Sequence, residues 1–138
     1  MSVVYVLDAC AMLAVLAKEP GADKVVEVYK KAASGEATLL MNKLNLLEVY
    51  YGLFREYGKE RANMFFEEVK QSPIVINHTI SDELFMAAGR LKASYKISLA
   101  DSVALAETAI SRGVLLTADH REFDAIDKDG EITFLWIR

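Results

Sequence analysis

The sequence predicts an α/β domain built on a mostly parallel, five-stranded sheet with helices on both faces. Short runs of β-branched, aliphatic and aromatic residues recur at 3–7, 37–41, 74–77, 114–117 and 132–137. Helical patterns separate these runs almost everywhere, and such alternation makes a parallel sheet covered on both sides. The 138 residues are 53% apolar and 26% charged with only 7 Gly and 2 Pro, which is the composition of one globular domain spanning 1–138. No linker, low-complexity tract or internal repeat divides it.

Each element has a local reason. "VVYVL" (3–7) is uncharged and β-branched, a central strand. "ACAMLAVLAK" follows as a helix that Pro20-Gly21 ends. "ADKVVEVYKKAAS" sets apolar 25, 26 and 29 among charges, an amphipathic helix stopped by Gly35. "ATLLM" (37–41) is the second strand. Asn42 caps the helix "KLNLLEVYYGLFREY", and Gly58 closes it. "KERANMFFEEVKQ" is the next helix, with Pro73 beyond its end, and "IVIN" (74–77) is the third strand. "SDELFMAAGRLKASY" carries an apolar stripe at 84, 87, 88, 91 and 95. "LADSVALAETAISR" is a helix that Gly113 stops before the fourth strand, "VLLT" (114–117). A short turn or helix around "HREFDAI" leads to the fifth strand, "ITFLWI" (132–137).

The single Cys10 excludes an internal disulfide framework and fits a reducing compartment. The apolar run 3–17 is too short to span a membrane, has no Lys or Arg before Lys18, and is broken by Asp8, so it does not read as a signal peptide. These features predict a cytoplasmic protein without a membrane association. The net charge of −4 does not advertise a nucleic-acid binder.

The acids are the informative residues. In parallel sheets ligands bind at the carboxyl ends of strands, near a topological switch point. Asp8 directly follows the first strand and Asp119 follows the fourth by one residue, so they meet if those strands are neighbours. Glu48 lies in a helix that is apolar on nearly every side. It has no Lys or Arg within one turn, and Asn45 is the only other polar group on its face. Asp101 opens an otherwise small and apolar helix. Capping accounts for Asp8, for Asp101 in the box "SLAD" and, as a turn residue, for Asp119 when each is taken singly. It does not account for Glu48. Four gathered carboxylates repel, and a hard divalent cation such as Mg²⁺ or Mn²⁺ resolves the repulsion. Setting these four aside leaves 16 acids against 16 bases (20 − 4 = 16), so the net acidity does not exclude an anionic substrate. Arg55, Lys59, Arg61, Arg90, Lys92, Lys96 and Arg121 are cations near these segments. His78 follows the third strand, and His120 sits beside Asp119.

"VYVLDACAML", "LNLLEVYYGL", "ISLADSVALAETA" and "LLTADHREFD" together resemble the PIN-domain ribonucleases, particularly VapC-type toxins of toxin–antitoxin pairs, over essentially the whole chain. The resemblance implies a catalytic and metal-binding quartet of Asp8, Glu48, Asp101 and Asp119. It adds Thr117 as an orienting hydroxyl and Asp124 as an auxiliary acid. It implies Mg²⁺- or Mn²⁺-dependent endonucleolytic cleavage of RNA to a 5′-phosphate and a 3′-hydroxyl, with Glu48 holding the ion or activating water. It also implies a homodimer and a cognate antitoxin protein. Arg55, Lys96, His120 and Arg121 are the expected RNA contacts. Cys10 departs from the pattern, which more often has Ser or Thr two residues after the first Asp. Two alternatives stand beside this reading: a non-catalytic binding module of the same fold, and a phospho-aspartyl receiver or phosphatase. The phosphatase expects an acid where Cys10 lies, and the receiver expects one after "IVIN".

Overall fold

The order of elements follows the hydrophobic pattern. The computed structural model describes residues 2–138. Its elements are β1 (Val3–Leu7), α1 (Ala9–Leu16), α2 (Ala22–Ala33), β2 (Ala37–Asn42), α3 (Lys43–Tyr57), α4 (Lys59–Lys70), β3 (Val75–Asn77), α5 (Asp82–Ser94), α6 (Leu99–Ser111), β4 (Val114–Thr117), α7 (His120–Asp129) and β5 (Thr133–Trp136). The strands form one sheet in the order β3-β2-β1-β4-β5. Every pairing is parallel, so the expected "mostly parallel" sheet is wholly so.

Side chains on a strand alternate between its faces, and each face here has its own core. Leu7, Leu39, Met41 and Leu116 point to the side covered by α1–α4, where they meet Val25, Leu46, Val49, Phe65 and Val69. Val6 and Leu115 point to the side covered by α5–α7, against Leu91, Val103, Leu105, Phe123 and Ile126. The sheet is therefore the middle of three layers.

Two local differences from the sequence reading have simple causes. Helix α1 stops at Leu16, because Lys18 turns the chain with φ 53° before Pro20 is reached. Helix α7 is longer than the short turn or helix expected around 120–126. It runs to Asp129 and ends at Gly130, in the left-handed conformation at φ 75°. Only Phe123 and Ile126 of α7 are buried, and the surrounding charges obscured the stripe they make.

One close approach fixes the C-terminal strand. Gly21 has φ 94°, and a Cβ there would lie 2.3 Å from the carbonyl oxygen of Ile137. Glycine meets both demands at once. Arg138 then donates to the carbonyl of Pro20 at 2.8 Å, which keeps the end of the chain beside α1.

Candidate active site

The chain leaves β1 in one direction to build β2 and β3, and returns on the other side of β1 to build β4 and β5. The switch point lies between β1 and β4, which pair from Tyr5–Val114 to Leu7–Leu116. Asp8 and Asp119 emerge side by side at its carboxyl edge, as the strand ends led us to expect.

Asp8 does two things. It is the N-cap of α1, and its Oδ1 accepts from the Ala11 N–H at 2.7 Å. The residue is 1% exposed, and its Oδ2 is buried with no hydrogen-bond partner. Burial pushes its carboxyl up to about 7. The Thr117 hydroxyl and the Ala11 N–H oppose this rise, while Asp101 and Asp119 reinforce it. Thr117 is fully buried, and its hydroxyl accepts from the Asp119 N–H at 3.0 Å at the exit of β4.

Asp101 sits in the first turn of α6, where Ser98 caps its N–H at 3.1 Å. The capping reading and the site reading are therefore both satisfied. Burial raises the Asp101 carboxyl to about 7, and Asp119, Glu122 and Glu48 add to the rise. Glu48 is half-buried in α3, and its carboxyl is raised first by burial and then by Asp119. The four acids thus share one electrostatic environment at the sheet edge.

A fifth acid joins them. Carboxylate oxygens of Asp101, Asp119 and Glu122 lie within 4.8 Å of one another. The sequence reading missed Glu122, although its signal was present. Asp119 caps α7 and accepts from the Glu122 N–H at 3.1 Å, so "DHRE" is a capping pattern that brings the acid at i+3 back over the N-terminus. Asp124 points elsewhere: it pairs with His120 Nδ1 at 2.7 Å on the exposed side of α7. The second nitrogen of His120 meets the Arg138 carbonyl at 2.9 Å, and the ring stacks on Trp136 with centroids 3.8 Å apart. The Arg138 carbonyl and Asp124 raise its pKa.

Of the other cations singled out, Arg55, Lys96 and Arg121 are exposed, and Arg55 lies over the Tyr51 ring at 5.4 Å. Cys10 is half-buried, and its thiol is pushed up to about 11, first by burial and then by Asp8. It is a neutral thiol at physiological pH, not a nucleophile.

None of the five acids has a Lys or Arg partner among the described residues. The bare Oδ2 of Asp8 and the converging oxygens of Asp101, Asp119 and Glu122 suit a hard divalent cation. The donors therefore fit Mg²⁺ or Mn²⁺ chemically.

Residues 5–129 match the family model of the PIN domain. No curated protein matches the chain by sequence. Three solved structures share the fold. VapBC-1 from nontypeable Haemophilus influenzae has a TM-score of 0.73 at 16% identity, with 97% of this chain and 98% of that one covered. A toxin–antitoxin complex from Klebsiella pneumoniae has 0.70 at 17%, with 97% and 98% covered. DNA-bound VapBC from Salmonella typhimurium has 0.70 at 17%, with 99% of each covered. With the family model spanning β1 through α7 and all five acids, the chain belongs to the PIN-domain family.

Proposed function

We propose that the chain is a Mg²⁺- or Mn²⁺-dependent endoribonuclease, one PIN domain over 1–138, acting as the toxin of a toxin–antitoxin pair. The observation that carries this is the buried Asp8 carboxyl at the switch point, raised by the charges of Asp101 and Asp119, whose oxygens converge with those of Glu122. Membership in the PIN family and a fold shared with toxin–antitoxin complexes support it.

Asp8, Asp101 and Asp119 are the residues that would hold the ion, with Glu122 converging on Asp101 and Asp119 and Glu48 in electrostatic contact with both. When bound, the ion acidifies water and offsets charge at the scissile phosphate. Thr117 orients Asp8 and Asp119. Glu48, whose carboxyl is raised by burial and by Asp119, takes the proton of the water that attacks phosphorus. The 3′-oxygen leaves, which gives a 5′-phosphate and a 3′-hydroxyl. Arg55, Lys96 and Arg121 hold the RNA backbone, and His120 offers its free ring face to a base. Asp124 acts on this site only by holding His120.

The toxin reading places the chain in the cytoplasm as a homodimer, with an antitoxin protein covering the acid edge. No helix among the described residues is long and apolar enough to cross a membrane. Cleavage of cellular RNA by the purified protein should require added Mn²⁺ and stop in a chelator. Persistent cleavage in chelator would refute the metal reading, whereas metal binding without cleavage would favour a non-catalytic binding module. Glu122→Gln keeps the shape and removes one charge. It should raise the Mn²⁺ concentration needed for half-maximal cleavage about 10-fold, measured by titrating Mn²⁺ against the cleavage rate.

A further inference from the structure

Helices α3 and α6 belong to opposite layers, yet they meet over the carboxyl edge of the sheet. Near the acids, one side chain makes that meeting polar. Asn45 of α3 is fully buried, and its Nδ2 donates to the carbonyl of Ala100 at 3.0 Å. A second link lies farther from the acids, where Asn42, the N-cap of α3, donates from Nδ2 to Glu107 Oε1 of α6 at 3.2 Å. Ala100 directly precedes Asp101, and Asn45 lies one turn before Glu48 on the same helical face. The amide therefore ties the helix that carries one acid to the backbone that carries another.

The other half of the amide is unusual. Asn45 Oδ1 is buried and has no hydrogen-bond partner. Buried polar atoms are nearly always satisfied, and a bare one is costly. Leu44 and Leu46 occupy the flanking positions, and a leucine at 45 would carry no such penalty. Two side-chain oxygens among the described residues are left bare in this way, and the other is Oδ2 of Asp8.

We propose that Asn45 is a positioning residue of the acid cluster. Its Nδ2 fixes the spacing of Glu48 and Asp101, and its Oδ1 accepts a hydrogen bond from solvent held among the acids. This rests on the reading of the edge as a metal-dependent site.

The test compares Asn45→Ala and Asn45→Leu with wild type, and uses Leu46→Ala as a control for general loss of stability. Asn45→Leu fills the space and separates the lost amide from a cavity. Mn²⁺ affinity is measured by calorimetry at pH 8, and amide hydrogen exchange is measured without metal. Both Asn45 variants should bind Mn²⁺ about 10–100-fold more weakly and lose protection selectively in the first turns of α6. Leu46→Ala should keep wild-type affinity and protection in those turns. Affinity within about two-fold of wild type in both variants overturns the proposal. If wild type binds no Mn²⁺, the functional reading fails and the exchange arm decides for Asn45. Unchanged protection at residues 102–104 then overturns it, and selective loss there upholds it.

Discussion

Asp8→Asn is expected to lower RNA cleavage about 10³-fold, a loss of several kcal/mol of charge stabilisation, while leaving the protein folded. The fold survives because the cap survives: asparagine caps helices as well as aspartate, and its oxygen can still accept from the Ala11 N–H. The metal-free variant should also be more stable than wild type at pH 8. There the wild-type protein keeps a buried carboxylate charged beside Asp101 and Asp119, and the variant does not. At pH 5 the wild-type carboxyl is protonated and the advantage shrinks. Cleavage assays with Mn²⁺ and thermal melts in chelator at both pH values check this. Wild-type cleavage by Asp8→Asn would remove Asp8 from the site, and an unfolded variant would leave it with a structural role only.

The second large effect is a dependence of stability on pH and metal together. Burial holds the Asp8 and Asp101 carboxyls at about 7 in the folded protein, against 3.8 for an ordinary aspartate. Both are raised, so the native state holds more protons than the unfolded state between these values. Stability in chelator is then greatest below pH 4 as far as these two groups are concerned, and is lost as pH rises through about 7. The metal-free Tm should fall by about 5 °C or more between pH 5 and pH 8. Mn²⁺ reverses this by binding the ionised acids, so 1 mM Mn²⁺ should raise Tm at pH 8 and barely move it at pH 5. Melts over pH 5–8, with chelator or Mn²⁺, test it. A flat Tm in chelator would mean that the acids are not crowded in the way the structure places them.

Much of this was legible in the sequence because the cues were local. β1, β2 and β4 are β-branched or aliphatic runs bounded by polar punctuation, and the caps at Asn42 and Ser98 stand where hydrophobic periodicity begins. Asp8 and Asp119 could be placed together from strand ends alone, given that β1 and β4 are neighbours. Glu48 stood out as an acid without a helical partner. What the sequence obscured depended on three-dimensional closure. Glu122 is not legible there because a segment that reads as either a short turn or a helix does not fix the i+3 relation to Asp119. The attachment of His120 to Arg138 and Trp136 joins α7 to the end of the chain, a pairing no window of sequence displays. Asn45 looked like a minor polar companion of Glu48, and only its bond to the Ala100 carbonyl gives it a task.

The pairing of Leu7 with Leu116 has a consequence for synthesis. Asp8 leaves the ribosome before β2, β3 and β4 are made, while Asp119 and Glu122 follow all three. The intervening strands β2 and β3 can dock on β1 early, since chains fold from the N-terminal side as they are made. The acids cannot converge until β4 slides in beside β1. A truncated or stalled product that ends before β4 therefore keeps Asp8, Glu48 and Asp101 but lacks Asp119 and Glu122, and with them the strand that brings the two sides of the cluster together. Completion of the site therefore waits on the docking of β4, however early the rest of the core has formed.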